Sequence, residues 1–139
     1  MKNTVIIDAG PLIALFDGSD KYHRIVIDFL RNFSGRLITT LPVITEATHL
    51  LDFDVKAQID LLKWIELDGV SIFQISAMHI KKMVPLIEKY SDRPMDFADA
   101  SIVILADELN INDIISIDSD FEIYRYKSKK RFNNLLTRI

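Results

Sequence analysis

A chain of 139 residues, 49% hydrophobic and 27% charged, has the length of one ordinary domain and enough apolar material for one sizeable core. The absence of Cys excludes disulfides and thiolate metal sites, and a net charge of −3 does not advertise nucleic-acid binding. Asp8, Gly10 and Pro11 break the opening apolar run and no small-residue cleavage site follows. The run SIVILA (101–106) falls far short of the ~20 residues that span a bilayer, so the expected location is the cytoplasm.

In chain order, TVIID (4–8) reads as a short apolar strand. Asp-Ala-Gly-Pro then turns the chain, with Pro11 suited to the first turn of a helix. Residues 21–33 carry Tyr22, Ile25, Val26, Phe29, Leu30 and Phe33 at the spacing of one buried helical stripe, and Ser34-Gly35 ends it. RLITT (36–40) reads as a second strand, and Pro42 opens another helix. A further helix over 56–67 carries Ile59, Leu62 and Ile65, Asp68-Gly69 turns, and VSIFQI (70–75) is a third strand.

Residues 77–90 read as an amphipathic helix with Ile80, Met83, Val84 and Ile87 inward, kinked or shortened by Pro85. Residues 96–109 are apolar almost all round, Phe97 included, so that helix is expected to be central and buried. DIISI (113–117) is a fourth strand, and a last short strand is expected within 131–136. Strands separated by helices favour an α/β fold, a central parallel sheet of four or five short strands with helices on both faces, forming one domain over 1–139. Ligands of such sheets bind outside the carboxyl ends of the strands, where Asp8 and Asp118 lie.

Carboxylates recur at these ends: Asp8, Glu46, the Asp96/Asp99 pair, and Asp118 with Asp120. Carboxylates beside apolar surface are costly unless paired or bound to a cation, and acids gathered from distant segments point to a hard-metal pocket for Mg²⁺ or Mn²⁺. Each acid also has an ordinary explanation. Asp8 can make an Asx-turn or cap a helix; Glu46 lies on the border of an apolar helix face; Asp96 can be an N-cap with Asp99 favouring the helix dipole; Asp118 and Asp120 suit a turn. The argument rests on their shared placement.

His23, His49 and His79 match no metal-ligand spacing, no G-x-S-x-G nucleophile elbow is present, and none of the four glycines builds a phosphate-cradling loop. After Glu122 there is no acid. The tail instead holds Arg125, Lys127, Lys129, Lys130, Arg131 and Arg138 among Tyr124, Tyr126 and Phe132. Cations interleaved with aromatics suit phosphates and bases, and equally suit a solvated terminus.

The segments VIIDAGPLIALFDGSDKYH, TLPVITEATHLL, MDFADASIVILA and IISIDSDFEIYR resemble the PIN-domain nucleases, particularly VapC-type toxins of toxin–antitoxin pairs, in the family's order over nearly the whole chain. The resemblance implies a three-layer α/β/α sandwich and an endoribonuclease dependent on Mg²⁺ or Mn²⁺. By position Asp8, Glu46, Asp99 and Asp118 correspond to the family's four acids, and Asp96 to an additional acid of some members. Asp120 is placed as an outer ligand, and Ser116 stands where the family has a Thr or Ser. Two-metal sites of this kind hold ions ~3.5–4 Å apart and clamp the attacking and leaving oxygens of a phosphodiester. RNA would be held by the cations of 125–131, with Arg93, Lys81 and Lys82 as further candidates. A homodimer and a small antitoxin partner are implied by the same resemblance, with the helix at 21–33 and the segment 43–65 as available surface.

Other readings remain. Haloacid-dehalogenase phosphatases need a second Asp two residues after the first, and position 10 is Gly; receiver domains need an acidic pair where only Asp8 stands. A non-catalytic interaction module whose acids are helix caps is the reading from another class, and a PIN nuclease with a housekeeping role is the alternative within the family.

Overall fold

The structure is a computed structural model that describes residues 3–136; Arg138, part of the basic tail, lies outside the described residues. Five parallel strands form the central sheet: β1 (Thr4–Ile7), β2 (Arg36–Thr40), β3 (Ser71–Phe73), β4 (Asp113–Ile115) and β7 (Asn133–Asn134), in the order β3-β2-β1-β4-β7. Helices α1 (Ala9–Phe16), α2 (His23–Arg31), α3 (Leu41–Leu50), α4 (Val55–Glu66), α5 (Ala77–Lys89) and α6 (Phe97–Leu109) flank it, giving the expected α/β/α layering. β5 (Arg125–Tyr126) and β6 (Lys130–Arg131) pair as a separate antiparallel hairpin that the sequence did not announce.

The strands are short and apolar because both faces are covered. Val5, Ile6, Ile7, Ile114 and Ile115 are all buried. β1 pairs with β2 on one side and β4 on the other, so the chain reverses direction of travel between β1 and β4, and a crevice opens at the ends of those two strands. Gly10, inside the first turn of α1, lies against Ile117; a Cβ there would sit 3.3 Å from the Ile117 Cβ. Helix α1 therefore starts directly after Asp8, with no intervening turn, and runs close to the end of β4.

Three expectations about buried faces are corrected. On α5, Met83 is buried and Leu86 and His79 half-buried, while Ile80, Val84 and Ile87 are exposed. The helix has two apolar stripes, and the one containing Met83, Leu86 and the C-terminal Tyr90 packs on α6. Pro85 neither shortens nor ends this helix, because it sits on the solvent side where the carbonyl it leaves unpaired can be hydrated. On α4 the buried residues are Ala57 and Leu61, with Ile59 and Leu62 exposed. On α6 everything from Ala98 to Ala106 is buried except Asp99, which is half-buried, but Phe97 is 45% exposed. Among the described residues no helix is long and apolar enough to cross a membrane.

Candidate active site

Four separated segments bring their acids to the crevice beyond β1 and β4. Asp8 directly follows β1 and caps α1, its Oδ1 accepting the Ala9 N–H at 2.8 Å, while its own N–H donates to Ile115 O at 3.1 Å. Its Oδ2 accepts the Ser116 hydroxyl at 2.9 Å. The Ser116 hydroxyl also lies 3.3 Å from Asp118 O, and its backbone is gripped by Asn134, whose Oδ1 accepts the Ser116 N–H and whose Nδ2 donates to Ser116 O. Thus β7 fixes Ser116, and Ser116 fixes Asp8.

Asp96 caps α6 by accepting the Asp99 N–H at 2.8 Å. One turn on, Asp99 Oδ2 accepts the hydroxyl of buried Tyr124 at 3.3 Å. Glu46 projects from α3, whose start is locked to α6 by a relay. The Val43 N–H donates to Thr40 Oγ1, the Thr40 hydroxyl lies 2.7 Å from Ser101 Oγ, and Ser101 donates to Ala98 O. Asp118 caps the 3-10 turn Ser119–Glu122, accepting the Asp120 N–H at 3.0 Å. The capping explanations for Asp8, Asp96 and Asp118 are therefore real, and Asp99 lies in the first turn of α6 as the helix-dipole explanation expects; Glu46 caps nothing.

These carboxylates share one electrostatic field. Burial raises the Asp8 pKa to about 6 against hydrogen bonds from Ala9 and Ser116, with Asp118 and Asp96 adding to the rise. Asp99 is pushed up to about 8 by burial, then by Asp96 and Asp8. Glu46 is raised by burial and by Asp96, Asp8 and Asp118, and Asp118 is raised chiefly by burial. A crevice whose acids inhibit one another's ionisation is one that a cation would relieve. The donors are all carboxylate oxygens, which fits a hard divalent ion. Among the described residues, no group of three or more His, Asp or Glu side chains is close enough together to hold a metal ion.

Asp120 stands apart from the other acids in one respect: its Oδ1 accepts from Arg93 Nη1 at 2.8 Å. That guanidinium lowers the Asp118 pKa, so it is close enough to act on the crevice. The cations of the tail are placed elsewhere. The N–H of Lys127 donates to Asp107, and Lys89 Nζ donates to Ser128 O. Asp107 is eight residues beyond Asp99, about 12 Å along α6. Arg125 is occupied with the carbonyls of Glu122, Ile123 and Tyr124, while Lys127, Lys129, Lys130 and Arg131 are exposed. His23 bonds Ala14 O, and His79 bridges Ser76 and Glu108.

Sequence reasoning missed Asn134, the Tyr124–Asp99 contact and the Arg93–Asp120 pair. Arg93, Asp120 and Tyr124 were each named from the sequence, but not as partners of one another or of Asp99, and Asn134 was not named; the contacts depend on side-chain direction.

The family model of the PIN domain matches residues 5–126. Ribonuclease VapC26 of Mycobacterium tuberculosis is 28% identical over 116 residues, covering 82% of this chain and 86% of that protein. The crystal structure of Mycobacterium tuberculosis VapC20, described as a Sarcin-Ricin loop cleaving toxin, superposes with a TM-score of 0.79 at 17% identity, covering 90% of this chain and 98% of that one. At that identity the likeness concerns the fold.

Proposed function

The chain belongs to the PIN domain family, and from that premise we propose that it is an endoribonuclease hydrolysing RNA phosphodiesters with Mg²⁺ or Mn²⁺, the toxin of a toxin–antitoxin pair. The PIN-like domain takes in residues 1–139. The observation that carries this reading is the convergence of Asp8, Glu46, Asp96, Asp99 and Asp118 in one field at the ends of β1 and β4. The ribonuclease name of the 28% identical relative supports it.

In this reading Asp8, Glu46, Asp99 and Asp118 are the catalytic acids and hold the cation, with Asp96 beside them and Asp120 outside. The bound ion supplies Lewis acidity toward the phosphate and lowers the pKa of water. Ser116 and Ala9 fix the two oxygens of Asp8, so its orientation needs no rearrangement on loading. Tyr124 does the same for one oxygen of Asp99. Arg93, held at the crevice by Asp120, offers the phosphate a charge the acids lack. Lys127, Lys129, Lys130 and Arg131, with Arg125 more tightly held, take phosphates farther along the strand. The exposed stripe of α5, Ile80, Val84 and Ile87, suits a homodimer contact, and exposed Leu50, Phe53 and Leu62 suit a small antitoxin.

The test is cleavage of a mixed structured and single-stranded RNA pool with Mg²⁺, Mn²⁺ or EDTA, for wild type and Asp99→Asn. Cutting that needs metal and is lost in the variant is expected. An Asp99→Asn protein that cuts normally refutes the assignment. The interaction-module reading is favoured by the capping roles of three acids; it predicts no calorimetric Mn²⁺ binding.

A further inference from the structure

A groove of about 560 Å³ opens between α3 and the start of α6, adjoining the acids. Glu46 and Asp96 form part of its wall, so it is continuous with the crevice. The rest of the wall includes Leu41, Thr45, His49 and Phe97. Leu41 is 50% exposed and Phe97 45%, although the helix that Phe97 begins is the most buried in the molecule. Among the described residues no other ring packs on Phe97, and the imidazole of His49 has no hydrogen-bond or ion-pair partner. Thr45 donates its hydroxyl proton to Leu41 O, leaving its oxygen free to accept.

We infer that this groove is a nucleobase subsite: the base beside the cleaved phosphodiester stacks on Phe97, with His49 and Thr45 at its hydrogen-bonding edge. The inference rests on the ribonuclease reading and deepens it. An aromatic face left in water next to an acidic crevice is a stacking platform for a flat, neutral ring, and single-stranded RNA is read in this way. Charge selects the orientation. Glu46 and Asp96 repel the phosphates, which stay with the cation and Arg93, while the uncharged base enters the groove. The groove is open on one side, and its volume of about 560 Å³ leaves room for a purine or pyrimidine ring laid on Phe97.

Binding is measured for single-stranded octanucleotides carrying 2-aminopurine or an abasic unit at one position, with the acids intact and Ca²⁺ in place of Mg²⁺ to occupy the site while suppressing cutting. Phe97→Ala is expected to weaken the 2-aminopurine strands about tenfold and to abolish their fluorescence quenching. Phe97→Trp is expected to keep both, and the abasic strand to bind wild type and Phe97→Ala alike. Equal affinity and quenching for wild type and Phe97→Ala overturns the inference. So does a Phe97→Ala protein whose RNA binding is intact but whose sedimentation shifts toward the monomer, since the groove would then cover a second copy. None of these outcomes depends on cleavage, so failure of the ribonuclease reading, seen as no metal-dependent cutting of the RNA pool by wild type, is separately visible.

Discussion

The Ser116 hydroxyl donates to Asp8 Oδ2 at 2.9 Å, joining residues 108 positions apart across the ends of β4 and β1. The bond exists because β1 and β4 are neighbours and because Asn134 holds the Ser116 backbone from β7. Ser116→Ala removes a donor from a buried carboxylate, which costs about 1–3 kcal/mol. A thermal melt should show that loss, and the Mn²⁺ affinity should fall while Ser116→Thr keeps it. If Ser116→Ala binds Mn²⁺ as wild type does, the orienting role is wrong.

Without metal, the protein should lose stability as pH rises from about 4 to 8. Asp8 has its folded pKa raised from 3.8 to about 6, and Asp99 from 3.8 to about 8. Raised acids bind more protons folded than unfolded, so their stability contribution is complete below about 4 and is lost through 6 and then 8. For buried Asp8 the cost at neutral pH is on the order of 3 kcal/mol. Asp8→Asn should therefore melt higher than wild type at pH 7 in EDTA, with the difference vanishing near pH 4. A difference independent of pH would show that the carboxylate's charge is not the cause.

A divalent ion should invert this trend, because ligation requires the ionised acids. Millimolar Mn²⁺ is expected to raise the melting temperature more at pH 8 than at pH 5, and to raise it little in Asp8→Asn or Asp99→Asn. A shift that survives both substitutions places the ion elsewhere.

Arg93 is the cation paired within the acidic region, so Arg93→Ala should weaken RNA binding and flatten its salt dependence by about one phosphate contact. Filter binding between low and moderate salt reads this directly. Asp120→Asn, which frees the guanidinium, should leave the salt slope unchanged. An Arg93→Ala slope equal to wild type assigns phosphate binding to the hairpin cations alone.

The sequence by itself determined the alternation of strands and helices, the limits of β2, and the acids that end strands. Period-2 and period-3.6 patterns and capping residues are local, and Asp8, Asp96 and Asp118 announced themselves as caps because that is also what they are. The convergence of the acids followed from the parallel topology, which puts the ends of β1 and β4 side by side. Tertiary structure alone decided which of two apolar stripes α5 buries, since a helix with Ile80, Val84 and Ile87 on one side and Met83 and Leu86 on another satisfies the same periodicity either way. It also decided that Phe97 faces water beside Glu46, that Asn134 and Tyr124 serve the acids, and that Asp120 pairs with Arg93. Those relations depend on how neighbouring elements rotate and pack, and a one-dimensional pattern carries no record of rotation.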